Sequence, residues 1–348
     1  MQKNIFQQIP APLLSWYNEN KRDLPWRINP TPYRVWVSEI MLQQTRVEAA
    51  KEYYLRFLKE LPTLQDLAFC EEGKLLKLWE GLGYYSRVRN MQKAAKTIVE
   101  EYGGVFPSEE AQLKKLAGIG AYTVGAIRSI AFKKRAPAVD GNVFRVCSRL
   151  EENDTSIADP KYRKYLEENL LAVYPQEDSE DCSSFTQALM ELGALICKPQ
   201  TPDCALCPLK EICQSRQHGT QTNFPVLPEK KDKKIQKLYV FLLQTKTGFA
   251  IRKRTDGVLK GMNEFPSVLA EGKTPQEVLN EWGMSALKWK SKKKFTHIFT
   301  HIKWDMECFW VQADDLPFET YSLDEIQRNI SLPTAFKQCL QMVENEEV

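Results

Sequence analysis

No apolar run in these 348 residues is long enough to span a bilayer. The opening MQKNIFQQIPAPLLSWY has no basic start, apolar block or small-residue cleavage site, so it is not read as a secretory signal. Both absences favour an intracellular address, cytoplasmic or nucleoid-associated. Charge of one sign is also scarce: Lys and Arg total 48 against 45 Asp and Glu, a net +3. So small an excess does not announce a nucleic-acid partner, and any electrostatic footprint has to be local. Nine cysteines is an odd number in a chain without a signal, which argues against a disulfide framework. No repeat with a period of about 20–50 residues stands out. What remains is an ordinary globular composition, 43% hydrophobic and 27% charged, with length for about two domains.

The chain divides by texture. Residues 1 to about 28 read as loosely helical. From Pro32 to about 134 the apolar spacing is helical throughout, interrupted at Leu61-Pro62-Thr63, Gly81 to Gly83 and Tyr102 to Pro107. Residues 160–196 give further helices, the last running into a cysteine cluster. Residues 217–234 are polar, carry Pro225 and Pro228 and lack periodicity, as a linker does. Beyond them, Leu238 to Gln244 reads as a strand, Lys246-Thr247-Gly248 turns into Phe249 to Arg252, Pro275 to Trp282 reads as a helix, and Phe295 to Trp310 reads as two strands. The expected architecture is multidomain: an all-α domain over 1–216, the linker, and an α+β domain over 235–348.

Leu113 to Asn142 concentrates the candidate chemistry. Leu113 and Leu116 close one short helix, Gly118-Ile119-Gly120 makes a hairpin, and Val124, Ile127 and Ala131 mark a second helix. Two glycines one residue apart at the mouth of a helix let a bulky anion approach exposed N–H groups, and a phosphate is the natural candidate. The stretch ends in Asp140, set in a Gly/Asn turn before the amphipathic run Val143, Val146, Leu150. A phosphate grip followed by a poised carboxylate suggests chemistry on a DNA backbone. Read alone, Asp140 is most simply a helix cap.

Cys197, Cys204, Cys207 and Cys213 form a C-x6-C-x2-C-x5-C cluster, with Pro208 after the third. Four thiolates suit tetrahedral zinc or a [4Fe-4S] cluster, although the usual pair of CxxC zinc knuckles is missing. Cys70, Cys147, Cys182, Cys308 and Cys339 are scattered and read as small buried hydrophobes.

Gly118-Ile119-Gly120, Val139-Asp140-Gly141 and the four cysteines, in that order, resemble the helix-hairpin-helix DNA glycosylases of the endonuclease III type. The resemblance implies an all-α helix-hairpin-helix glycosylase domain carrying a [4Fe-4S] cluster on the four cysteines, with room for a structural cation at the hairpin. Ala117 departs from the proline usual in that hairpin. Bifunctional relatives, which also cut the backbone, carry a lysine that forms a Schiff base where this chain has Tyr122, so strand cleavage of that kind is not expected. Trp36 to Thr45 (WVSEIMLQQT), Gly81 to Arg87 (GLGYYSR) and Gly120-Ala121-Tyr122-Thr123 are similar to the adenine DNA glycosylase subgroup.

Cleaving an N-glycosidic bond calls for two carboxyl groups in different protonation states. Glu39 lies in an apolar helix, where burial raises a carboxyl pKa and keeps a proton for donation. Asp140 precedes a helix in a polar turn, where the macrodipole and free N–H groups favour the anion. The resemblance makes Glu39 the acid that protonates adenine and Asp140 the stabiliser of the sugar cation, with Tyr122 and Asn142 orienting Asp140. The base must be flipped from duplex DNA. The resemblance makes Gln44 and Tyr84 wedge residues on the opposite-base side, puts Thr45 and Leu82 among the DNA contacts and Gly118 and Gly120 on the phosphate, and sets Arg27 in the adenine pocket.

In the second domain, His297 to Ile302 resembles a loop that reads 8-oxoguanine, which would put Phe299, Thr300 and His301 on the opposite base. Thr300 replaces the usual serine and keeps its hydroxyl. Lys288, Lys290, Lys292, Lys293 and Lys294 precede it, a basic run suited to phosphates or simply a solvated face. This domain also resembles Nudix hydrolases, but Gln276, Asn280 and Val268 stand where arginine and two acidic ligands belong, so the fold is expected without the hydrolysis. The reading is a monomeric, monofunctional adenine glycosylase acting on double-stranded DNA with adenine opposite 8-oxoguanine or guanine. A glycosylase–lyase and a non-catalytic mismatch binder are the alternatives.

Overall fold

The computed structural model describes residues 4–229, 232–284 and 287–344. Its contacts divide the chain into two compact units. The first comprises Met1–Phe69 and Arg89–Glu229, the second Cys70–Val88 and Lys230–Val348.

The first unit is helical. It contains α1 (Pro10–Asn20), α2 (Pro32–Leu42), α3 (Val47–Glu60) and α4 (Leu64–Phe69). The second unit takes α5 (Glu72–Leu78), and α6 (Ser86–Glu101) carries the division between Val88 and Arg89. The first unit then continues with α7 (Glu110–Leu113), α8 (Ala121–Ala126), α9 (Gly141–Glu151), α10 (Pro160–Val173), α11 (Glu180–Leu195) and α12 (Gln214–His218). Local chemistry sets several starts. Thr31 caps α2 and Asp159 caps α10, each with proline at the first helical position, and Ser179 caps α11. In α9 the side chains of Val143, Val146, Cys147 and Leu150 recur at helical spacing and are buried with Leu13, Tyr17, Phe185 and Leu189 in one core.

The hairpin is tighter than the expected pair of helices. α7 ends at Leu113, before Leu116, and α8 passes into a π-helical turn at Ile127–Ala131. Gly118 sits at φ +74°, and a Cβ there would lie 2.8 Å from Asn90 Cβ. The expected linker also departs from a free tether. Phe224 O accepts from Arg149 Nε at 3.0 Å, Val226 O accepts from Ile157 N at 3.1 Å, and His218 and Thr220 both engage Glu152. The polar segment up to Glu229 therefore packs with the helical unit, its backbone carbonyls taken by side-chain and main-chain donors. Residues 230 and 231 lie outside the described residues.

The second unit is built on a mixed sheet. Its strands are β1 (Lys234–Gln244), β2 (Phe249–Ala250), β5 (Ser267–Leu269), β6 (Lys288–Ile298), β7 (Ile302–Gln312) and β8 (Thr320–Tyr321), ordered β6-β7-β1-β2-β8 with β5 also on β1. β3 (Arg252–Lys253) and β4 (Asn263–Glu264) form a separate pair. β1 runs parallel to β7 from Lys234↔Ile302 to Gln244↔Gln312, which the expected α+β hairpins did not contain. Both faces of β1 are covered. Leu238, Val240 and Leu242 pack with Ile326, Phe336 and Leu340 from the C-terminal helices. Phe241 and Leu243 pack with Val278 and Leu279 of α13 (Pro275–Glu281). The lysine run forms β6 itself, an exposed edge strand bulged between Trp289 and Ser291. Charged, bulged edges resist pairing with another chain.

Gly118→Ala is expected to cost roughly 1–3 kcal/mol, because the left-handed conformation and the contact with Asn90 act together. Thermal denaturation of the variant beside wild type measures the loss.

Candidate active site

A cavity of about 580 Å³ opens in the helical unit, lined by residues of α2, α8, α9 and α11, among them Arg27, Glu39, Gln44, Thr45, Tyr122, Asp140 and Asn142. Glu39 lies on α2 between Ser38 and Ile40, both buried, and is itself 6% exposed. Burial pushes its carboxyl up to about 7. The hydrogen bond from Tyr122 and the Arg27 charge pull it down, and the Asp140 charge adds to the rise. Tyr122 OH donates to Glu39 Oε2. Its own pKa is held well above normal, first by burial and then by the charges of Glu39 and Asp140, so it remains a donor.

This corrects one expectation. Tyr122 engages Glu39, and Asn142 holds Asp140, through Nδ2 to Oδ2 at 2.9 Å. Asp140 is the N-cap of α9, its Oδ1 accepting from Val143 N at 2.8 Å. Burial nevertheless raises its pKa, against the hydrogen bonds from Val143 and Asn142 and the Arg145 charge. The helix terminus offsets desolvation without overcoming it, so both acids move upward, whereas the apolar helix around Glu39 and the polar turn at Asp140 led to the expectation that they move apart.

Behind the acids lies a network that sequence reasoning missed. Glu191, buried on α11, accepts from Arg22 Nη2 at 2.8 Å and Arg27 Nη2 at 3.0 Å. Burial alone would raise this carboxyl, but the two guanidinium partners outweigh it and bring it to about 2. Arg27 Nε also reaches Gln187 Oε1 at 3.1 Å, so the arginine expected in the pocket is both a lining group and half of an ion pair. The signal was present, since Glu191 is an acid inside an apolar helix, as Glu39 is.

On α9, Arg145 and Arg149 stand one turn apart. Arg145 donates to Asn142 Oδ1 at 2.7 Å, Gly193 O at 2.8 Å and Cys197 O at 2.7 Å. Arg149 Nη1 donates to Cys197 Sγ at 3.3 Å, with further bonds to Lys198 O and Pro199 O. Gly193 permits this approach, since a Cβ there would lie 2.5 Å from Asn142 Cβ. The four cysteines line a separate cavity of about 30 Å³ with Arg149, Lys210 and Arg216. Burial raises the Cys207 thiol to about 12. Among the described residues, no group of three or more His, Cys, Asp or Glu converges as ligands of a metal ion. The donor set is four thiols under cationic side chains, which fits an anionic four-thiolate group.

The remaining expected residues lie elsewhere. Gly118 and Gly120 stay at the hairpin, where Gly120 is the N-cap of α8. Leu82 and Tyr84 belong to the second unit with Phe299, Thr300 and His301. Leu82 is buried, only 8% exposed, so it does not present the outward face expected of a DNA contact. Tyr84 is 47% exposed at φ +46°, and its hydroxyl is 2.9 Å from Thr300 Oγ1. Phe299 packs edge-on against His297 and Trp304, leaving Thr300 and His301 exposed at the tip of the β6–β7 turn. On α13, Gln276 and Asn280 bond each other at 2.9 Å, Glu277 closes a capping box with Thr274, and Glu281 pairs with Lys273. The acids left at this Nudix-like position are thus engaged in local structure.

Two family models match the chain, one in its helical part and one in its stranded part. Residues 37–171 match the HhH-GPD superfamily of base excision DNA repair proteins, and residues 239–342 match the NUDIX domain. The helical unit is similar to the structure of a thermostable thymine-DNA glycosylase, at 27% identity and a TM-score of 0.55, covering 62% of this chain and 97% of that one. The fold and the paired acids thus define a helix-hairpin-helix DNA repair protein with a Nudix-like C-terminal domain. More narrowly, the chain belongs to the adenine DNA glycosylase family. It is 32% identical to the adenine DNA glycosylase of Buchnera aphidicola subsp. Baizongia pistaciae, over 94% of this chain and 92% of the relative. It is 44% identical to that of Rattus norvegicus over 63% of this chain, a match spanning 44% of the rat protein's length.

Because the folded pKa of Glu39, about 7, stands above its ordinary 4.5, its stabilising contribution is complete below the lower value and lost as pH rises through the higher. Glu39→Gln keeps an acceptor for Tyr122 and removes the titration. Its melting temperature should gain on wild type as pH goes from about 5 to about 8. Melting curves across that range check this, and a constant gap would contradict the burial argument.

Proposed function

We propose that this chain is a monofunctional glycosylase that removes adenine opposite 8-oxoguanine, and opposite guanine, from duplex DNA. The observation that carries the reading is the pair of carboxyl groups in one cavity, one kept protonated near neutrality by burial and the other supplied with donors. Glu39 gives its proton to a ring nitrogen of the flipped adenine, making it a neutral leaving group. The Asp140 carboxylate, held by Val143 N–H and Asn142, faces the positive charge that develops on the sugar. Arg27, fixed by Glu191 and Gln187, shapes the base pocket.

Monofunctionality is supported by what lines the cavity. Among the described residues there, none is a lysine, and Tyr122 occupies the position at which an amine would act. The four cysteines are assigned to a [4Fe-4S] cluster. Cys197, Cys204, Cys207 and Cys213 would hold it, and Arg149, which donates to Cys197 Sγ, would face the negative charge that it supplies. The reading of 8-oxoguanine rests on the exposed Thr300 hydroxyl at the tip of the β6–β7 turn, a group that both donates and accepts. Gln276, Asn280 and Val268 support a Nudix fold that does not hydrolyse pyrophosphates.

Asp140→Asn should bind duplex yet release adenine at least about 100-fold more slowly, the scale of losing one transition-state charge. Single-turnover assays at near wild-type rate would refute the assignment. Borohydride should trap no covalent enzyme–DNA adduct; high-yield trapping would favour a lyase. The purified protein should be brown with broad visible absorbance, whereas a colourless, zinc-loaded sample would contradict the cluster assignment.

A further inference from the structure

The segment Cys70–Val88 lies within the stretch that sequence assigns to the helical domain, yet its contacts place it in the same compact unit as the C-terminal residues. Among the described residues, polar links from α5 and the residues just after it hold it there. Lys77 Nζ donates to Gln327 O at 2.7 Å and Ile330 O at 3.1 Å, carbonyls at and just beyond the end of α14 (Leu323–Arg328), where a cation is favoured. Glu80, its side chain 10% exposed, sits between Lys77 Nζ at 2.6 Å and Lys337 Nζ at 3.2 Å. Ser331 Oγ, buried, donates to Leu76 O at 3.0 Å. That carbonyl needs a partner because Glu80 N turns back to Lys77 O at the end of α5.

What α5 carries is the turn at Gly81 to Arg87. Gly81, Gly83 and Tyr84 all adopt positive φ, which costs the glycines nothing but which Tyr84 retains only where its surroundings hold it. Trp79 Nε1 donates to Gly83 O at 3.1 Å, Arg87 Nη2 donates to Leu82 O at 2.9 Å, and the Arg87 guanidinium lies over the rings of Trp79 and Tyr84. At the far end, Tyr84 OH meets Thr300 Oγ1. The turn and the β6–β7 loop are therefore joined twice, directly through Tyr84 and Thr300 and indirectly through α5 and the C-terminal helices.

Resting on the function proposed above, we propose that Lys77, Glu80, Ser331 and Lys337 are positioning residues for opposite-base discrimination. They make the Tyr84 turn and the Thr300 loop one rigid reading head, although the two are more than half the chain apart in sequence. None of the four touches the reacting atoms. Their loss leaves the chemistry of Glu39 and Asp140 intact and blurs the choice between 8-oxoguanine and guanine.

The test uses the full-length, cluster-loaded protein with Lys77→Met, Ser331→Ala and the conservative Lys77→Arg. Single-turnover adenine release and duplex affinity by fluorescence anisotropy are measured opposite 8-oxoguanine and opposite guanine. Lys77→Met and Ser331→Ala should lower the 8-oxoguanine-to-guanine ratio about 3- to 10-fold, the range of one lost buried hydrogen bond or ion pair, and Lys77→Arg should restore it. Added to Thr300→Ala, Lys77→Met should lower the ratio little further, since both act through one head. Hydrogen exchange of the 81–87 amides should quicken in Lys77→Met. An unchanged ratio with unchanged exchange, or full additivity with Thr300→Ala, overturns the proposal. Wild type that releases adenine from neither duplex would overturn the functional reading, and the affinity ratios would still decide the positioning role.

Discussion

The candidate site depends on the exclusion of water from Glu39. A carboxyl without solvation keeps its proton, and α2 provides that condition by placing Glu39 between buried neighbours. Tyr122 works against the effect by donating to Oε2, and it fixes which oxygen remains available. Asp140 feels the same desolvation but answers it with a backbone N–H and an amide side chain. The difference between the two acids is therefore one of donor supply in a shared buried setting. The charge of Asp140 also raises the cost of ionising Glu39.

That arrangement is braced from behind by buried charge. Arg145 spans Asn142, Gly193 and the Cys197 carbonyl, so the residue that orients Asp140 is tied to the backbone that enters the cysteine loop. Glu191 with Arg22 and Arg27 forms a second buried network in the same cavity lining. Such groups are costly to bury, and each is acceptable here because its hydrogen bonds are met. Gly193 shows how little slack there is, since even a methyl group would strike Asn142.

Much was legible in the linear chain because it rests on local rules. Asp140 announces a helix start, and the spacing of Val143, Val146 and Leu150 announces the buried face of α9. Glu39 stood out as an acid among apolar residues. Other features were not legible. Tyr122 lies 83 residues from the carboxylate it bonds, and no spacing rule links them. Glu191 carried the same signal as Glu39 but has become an ion-pair anchor, because two arginines bond to it, whereas Glu39 takes a hydrogen bond from Tyr122. The polar residues up to Glu229 looked like a tether, yet Arg149 and Ile157 supply donors to their carbonyls.

By itself the sequence determined the kinds of structure and the chemical inventory: helical first, then stranded, with four clustered thiols, a glycine hairpin and two conspicuous acids. These follow from side-chain periodicity, capping and backbone freedom, which act within a few residues. Only the tertiary structure decided the partnerships: the parallel register of β1 on β7, the seating of Lys77 and Leu76 against the C-terminal helices, and the upward shift of Asp140 despite its helix cap. Desolvation is a property of the whole surrounding volume, and that volume is filled by residues distant in the chain. Local pattern could name the acids, but the upward shift of each depends on what folded around it.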